Sequence, residues 1–163
     1  MATYRIRRAT LDDRATLIRH RFRMFEDMGV IDAEHPAKAG SRDAFGTWLD
    51  AQMPAGTYVA WVVETDMDGG AQAIVAGGGA TLIPWPPGPR NQSPRLAFVY
   101  NVYTEPEHRG HGLARLVMET LHAFCREQGI GALALNASTF GQPLYEALGY
   151  HTTPSPMMFL SLD

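Results

Sequence analysis

The residues whose types and spacing could do chemistry lie between Tyr100 and Tyr150. A run of apolar strand formers ends at Thr104, and a tight turn, Glu105-Pro106-Glu107-His108, follows it. Arg109-Gly110-His111-Gly112-Leu113-Ala114 then leads into a helical pattern. Glycines at a strand-to-helix turn let successive backbone N–H groups point into one concavity. The start of the helix adds unpaired donors and a partial positive charge. The combination is an anion cradle, and the usual anion is a phosphate or pyrophosphate.

Three classes of phosphate ligand compete for such a cradle. An ATP or GTP loop needs Gly-x-x-x-x-Gly-Lys-Ser/Thr, and no lysine follows here. A dinucleotide site needs Gly-x-Gly-x-x-Gly and an acidic residue about 20 positions later. Here Arg115 stands where the third glycine belongs, and the next strand closes on Asn136 and Ala137 with no carboxylate for a ribose. The third class is the pyrophosphate of coenzyme A.

The elements that must position this segment follow from periodicity. Tyr4–Arg7 alternates as a short strand. Thr10 can cap a helix, with Asp12 and Asp13 in its first turn. Leu11, Ala15, Ile18, Phe22 and Phe25 share one face of that helix, and Gly29 ends it. Arg19 and Arg23 lie on the other side, with Asp27 spaced to pair with Arg23. A second helix is expected over 41–53, stopped by Pro54. Residues 57–65 and 73–83 read as strands joined by a hairpin at Asp68-Gly69-Gly70, with Gly77-Gly78-Gly79 marking a bulge or a close backbone approach. Pro84 to Pro94 is a proline-rich loop. Residues 95–104 form the strongest strand, and 113–128 an amphipathic helix closed by Gly129. A buried parallel strand at 132–136, a short helix at 143–148 and a last strand at 157–162 complete a mixed α/β order.

Composition narrows the function. The 163 residues fit one domain of roughly 150 residues, 1–163, which buries about 70% of its extended-chain surface. A formal charge of −3 argues against a nucleic-acid partner. No run of about 18 apolar residues spans a membrane. The first eight residues have no apolar stretch behind their charges, so no secretory signal is expected and a cytoplasmic protein is the default. One cysteine, Cys125, leaves no disulfide framework and no Cys-built zinc site, so no metal is expected.

Arg109-Gly110-His111-Gly112-Leu113-Ala114 fits Gln/Arg-x-x-Gly-x-Gly/Ala, the signature of the GCN5-related N-acetyltransferase (GNAT) superfamily. The flanks resemble it too: Asn101 to His108 before the signature, and Leu144-Tyr145-Glu146-Ala147-Leu148-Gly149-Tyr150 after it. The resemblance implies a mostly antiparallel sheet with one splayed parallel strand pair and helices on both faces. It implies acetyl-CoA as acyl donor, with the pantetheine arm pairing to the backbone of Val102, Tyr103 and Thr104. The pyrophosphate would rest on the amides of Arg109, Gly110, His111, Gly112, Leu113 and Ala114. A backbone N–H near Val102 would polarise the thioester carbonyl, and an acceptor amine would attack directly. Tyr145 would be the general acid at the departing sulfur. Many relatives have an asparagine seven residues before that tyrosine; Ser138 stands there, and Asn136 two residues earlier, and either could bond the pantetheine. Many also carry an acidic base on the strand before the turn, where this chain reads Phe98-Val99-Tyr100-Asn101. Tyr100, Glu26 and His35 are the remaining candidates. A homodimer is implied by the resemblance alone.

Plainer readings stand beside these. Tyr145 could pack on the core with its hydroxyl at the surface. His111 could point to solvent with only its backbone in use, His108 could do no chemistry, Cys125 could be a small buried side chain, and the seven arginines from Arg5 to Arg23 a solvated face. The acids Glu26, Asp27, Asp32 and Glu34 could draw a cationic amine or simply be solvated, and Trp85 could line the acceptor pocket. An acyl-CoA-binding module without catalysis is the alternative function.

Overall fold

In the computed structural model the described residues are 3–31, 37–66 and 70–162, with the backbone alone described for 37–39. Among the described residues the strands and α-helices run in the order β1 (Tyr4–Arg8), α1 (Arg14–Asp27), α2 (Ala37–Gln52), β2 (Tyr58–Asp66), β3 (Gln72–Pro84), β4 (Arg95–Thr104), α3 (Leu113–Glu127), β5 (Leu133–Ala134) and α4 (Gln142–Ala147). The strands make one sheet in the order β1-β2-β3-β4-β5. Pairing is antiparallel from β1 to β4 and parallel between β4 and β5.

The sheet is covered on both faces. Leu17 of α1 and Leu49 of α2 pack on Tyr58, Ala60 and Val62. Met118, Leu121 and Cys125 of α3 pack on Val59, Trp61, Ala80, Ala97 and Val99 from the other side. Each such buried aliphatic side chain stabilises the fold by about 1.5–3 kcal/mol. The alternation along β2 sends odd and even residues to different helices, and every residue from Tyr58 to Thr65 is buried. That is why the segment is apolar without a break until Glu64.

The N-terminal cap forms as expected. Thr10 and Asp13 make a reciprocal capping box, closing a short 3-10 turn that runs into α1. Glycines also act as read. A Cβ on Gly79 would lie 2.5 Å from the Val59 carbonyl oxygen and 2.6 Å from the Tyr58 hydroxyl, so the strand needs glycine there. Opposite, the register slips between Gly77–Tyr103 and Gly79–Tyr100, so Asn101 and Val102 together face Gly78. This bulge lies on β4, with Asn101 at φ 62°.

Four expectations need correction. Residues 157–162 form no strand; Met158 and Phe159 are 90% and 93% exposed. The parallel strand of 132–136 shrinks to two paired residues. The second helix starts at Ala37, four residues early. Arg23 does not pair with Asp27: it bonds Glu105, and Asp27 takes Arg109, because both partners approach from the turn after β4. Of the expected hairpin turn, Asp68 and Gly69 lie outside the described residues.

Candidate active site

The splay of the parallel pair is visible in the register. β4 pairs with β5 only at Ala97–Leu133 and Phe98–Ala134. From Val99 to Thr104 its edge on that side has no ladder partner among the described residues, while β3 still pairs the other side at Tyr103 and Thr104. Val102 therefore lies on an open strand edge, beside a bulge that turns the backbone. An extended amide-bearing chain can add to such an edge as a further strand.

The turn after β4 is built by one short 3-10 segment, Pro106–His108, followed by two left-handed glycines, Gly110 at φ 79° and Gly112 at φ 75°. Only glycine reaches that region at no steric cost. The Arg109 amide closes the 3-10 segment by bonding the Pro106 carbonyl at 3.3 Å. The amides of Gly110 to Ala114 take no acceptor among the described residues, and the α3 ladder begins with Leu116 donating to Gly112. A Cβ at Gly110 or Gly112 would meet nothing within 4 Å, so it is the left-handed backbone and not crowding that calls for glycine at both positions. The cradle thus consists of five free donors at the N-terminus of a fifteen-residue helix. The Arg109 side chain serves the turn: it donates to the Thr104 carbonyl at 3.0 Å, pairs with Asp27 and lies over the Tyr103 ring. His111 folds its ring back on the carbonyls of His108 and Arg109. Tyr4 braces the same turn through its hydroxyl and His108 Nδ1, 3.1 Å apart.

Tyr145, on α4, packs its ring against the α3-side core and edge-on to Tyr150 at 5.8 Å. Its hydroxyl has no partner among the described residues and is not sealed from solvent. Burial raises its pKa, which keeps it protonated at neutral pH. Ser138 is already engaged, its Oγ accepting the Gly141 amide at 3.0 Å to start α4. Asn136 is exposed, with its amide 3.8 Å from the Met157 sulfur. Gly141 leaves room for the Tyr145 ring: a Cβ there would lie 3.1 Å from it.

A family model described as the Acetyltransferase (GNAT) family matches residues 23–150. The chain belongs to the GNAT family. A GCN5-related N-acetyltransferase from Ralstonia eutropha JMP134 superposes with a TM-score of 0.83 at 30% identity, covering 97% of this chain and 99% of that one. A predicted acetyltransferase from Clostridium acetobutylicum, crystallised with acetyl-CoA, superposes at 0.82 with 24% identity, over 97% of this chain and 96% of its own. In Mus musculus, a probable N-acetyltransferase family 8 member 5 is 29% identical over 124 residues. That alignment spans 64% of this chain and 53% of the mouse protein, so the chain covers about half the length of that relative. The mixed sheet, splayed pair and two-sided helices are those of the GNAT fold.

Two polar clusters escaped sequence reasoning. Glu105, half-buried at the head of the turn, receives Arg23 at 2.6 Å and Arg19 at 3.5 Å. His20, 2% exposed, places Nε2 3.2 Å from the same carboxylate without hydrogen-bond alignment. Burial holds the His20 pKa down to about 4, against the pull of Glu105. The second cluster joins Arg21, Asn101 and Tyr58: Arg21 Nη1 donates to Asn101 Oδ1 at 2.6 Å, and Asn101 Nδ2 to the Tyr58 hydroxyl at 3.0 Å. Positive φ at a buried asparagine is its only local signal, and sequence alone does not show it.

The remaining candidates separate. Tyr100 is 39% exposed beside Phe98, on the α1 face of β4, with its pKa raised by burial. His35, Asp32 and Glu34 lie outside the described residues. Cys125 is fully buried and its thiol is pushed up to about 11, so it is no nucleophile. Among the described residues no cluster of three His, Cys, Asp or Glu could hold a metal. None of the described helices is long and apolar enough to cross a membrane.

Proposed function

We propose that this chain transfers an acetyl group from acetyl-CoA to an amine acceptor by direct attack, in a single domain spanning 1–163. The observation that carries the reading is the row of free amides from Gly110 to Ala114, set at the end of an open strand edge. The donor set fits the group: five N–H donors and a helix N-terminus for two phosphates, and unpaired strand amides for the pantetheine. Bound there, acetyl-CoA supplies an activated thioester.

The chain's own groups do the rest. The Gly110, His111, Gly112, Leu113 and Ala114 amides hold the pyrophosphate, and Arg109 fixes the turn that aims them. Val102, Tyr103 and Thr104 hold the pantetheine, with Asn136 able to reach it and Ser138 acting through the start of α4. The Val102 amide polarises the thioester carbonyl as charge develops on its oxygen. Tyr145 carries a proton at neutral pH and donates it to the departing sulfur. The strand before the turn has no carboxylate, so the acceptor enters as the neutral amine; the proton its nitrogen sheds after attack passes to water, and Tyr145 regains one from solvent. Of the sequence candidates for a base, Tyr100 is 39% exposed on the α1 face of β4, Glu26 is partly buried on α1, and His35 lies outside the described residues.

The reading also places the enzyme in the cytoplasm, which suits one free, buried thiol. It takes no nucleic-acid or membrane partner. A homodimer is the proposed assembly, supported by the exposed Met157, Met158, Phe159, Leu160 and Leu162 side chains, since so much clustered apolar surface is unusual on a monomer. Calorimetric titration with acetyl-CoA, paired with thiol release over an amine panel, tests the proposal. Binding with turnover supports it. Binding without turnover on any amine favours a non-catalytic acyl-CoA-binding module.

A further inference from the structure

Among the described residues, Arg21 is a cation on the α1 face of β4 that no acidic side chain pairs with. Other α1 arginines find acids: Arg14 pairs with Asp50, and Arg19 and Arg23 with Glu105. Arg21 bonds only the neutral Asn101 side chain among the described residues. The groups that bear on it electrostatically are Tyr58 and Tyr100, and burial works against its charge. Its guanidinium carbon lies 4.7 Å from the Phe25 ring centre and 4.8 Å from that of Phe45, so two helices hold it in place. A partly buried guanidinium that meets no acidic side chain among the described residues loses hydration without gaining an ion pair, so an anion docking there is favoured.

The position says which anion. Asn101, which Arg21 touches, is the bulge residue next to Val102, whose amide faces the thioester in the reading above. Tyr100 opens to solvent on the same side. A group that reaches Arg21 on the α1 face of β4 therefore belongs to the acceptor and not to the phosphates, which rest beyond Thr104 on the turn into α3. With aromatic rings against the cation, the remaining N–H edge of the fork is what a ligand meets. That edge matches a planar carboxylate or a phosphate.

Resting on the proposed acetyl transfer, we propose that the acceptor is an amine that also carries an oxyanion, and that Arg21 is the specificity residue that binds it. The test is thiol release from acetyl-CoA with short amino carboxylates, their matching carboxamides and an aminoalkyl phosphate. Wild-type protein is expected to favour oxyanion-bearing amines over the carboxamides by about tenfold or more in kcat/KM, the scale of a charge-assisted bond. The carboxylate and phosphate arms identify which oxyanion is used. Arg21→Met, which keeps apolar volume between Phe25 and Phe45, is expected to erase the preference and leave acetyl-CoA affinity unchanged. Arg21→Lys keeps the charge and is expected to retain part of it. If Arg21→Met does not fold, the wild-type comparison and Arg21→Lys decide the matter. Equal use of carboxamides by wild-type protein, or an undiminished preference in Arg21→Met, overturns the inference while the transferase reading stands. Acetyl-CoA binding with no turnover on any amine overturns both.

Discussion

Replacing Gly112 with alanine isolates the phosphate cradle from the rest of the fold. Gly112 caps α3 at φ 75°, ψ 15°, and an added Cβ meets nothing within 4 Å. The cost is therefore backbone strain alone, about 1–2 kcal/mol for an L-residue in the left-handed region. Gly129 supplies a matched control at the opposite end of the same helix, at φ 68° and also in open space. Both Gly112→Ala and Gly129→Ala should lower Tm by about 2–4 °C for each kcal/mol lost. Only Gly112→Ala should touch the cofactor. To the extent that the turn relaxes, the strain no longer lowers Tm but must be restored before five amides converge, and so it appears as binding free energy. At about 1.4 kcal/mol per decade, the Kd for acetyl-CoA rises about 5- to 30-fold. Calorimetry on wild-type protein and the two variants measures this directly. An unchanged Kd in Gly112→Ala, or an equal weakening in Gly129→Ala, would refute the cradle argument.

Three other predictions follow from the same geometry. Tyr145→Phe should lower kcat by about tenfold or somewhat more, the low end for general acid catalysis because a thiolate leaves readily, with little change in the KM for acetyl-CoA; an unchanged kcat with chemistry rate-limiting removes Tyr145 from the mechanism. His20 is held near pKa 4 in the folded chain against about 6.5 unfolded, so the unfolded state binds more protons between those values. Stability from this group is complete above pH 6.5 and falls as the pH drops toward 4, and urea unfolding at pH 7 and pH 5 should show a smaller drop in His20→Gln than in wild-type protein. Gly79→Ala should destabilise the chain by about 3 kcal/mol, since its Cβ would strike the Val59 carbonyl and the Tyr58 ring, whereas Gly88→Ala, in open space, should be within about 0.5 kcal/mol of wild type.

What the sequence made legible was local. The strand over 95–104 matches β4 residue for residue, and the helix after Gly112 ends within one residue of its expected bound. There the signals agree: β-branched and aromatic residues, then proline, then two glycines, then an unbroken apolar stripe. The candidate cradle was legible for the same reason, although the Arg109 amide turned out to close the turn. Long-range choices were not legible. Spacing alone pairs Arg23 with Asp27, but Glu105 and Arg109, some 80 residues away, compete successfully for both. Arg21 read as one of many surface arginines because its ring partner Phe45 comes from another helix and its acceptor Asn101 from a bulge. Met157–Leu162 has strand-like composition, yet the edge strand it would have to join, β5, is only two residues long.

The most direct measurement is a crystal structure of this protein with bound coenzyme A. The account predicts the pyrophosphate on the amides of Gly110 to Ala114, the pantetheine along the open edge of β4 beyond Phe98, and the sulfur within hydrogen-bonding reach of the Tyr145 hydroxyl. A coenzyme held elsewhere, with those five amides facing only water, would contradict it.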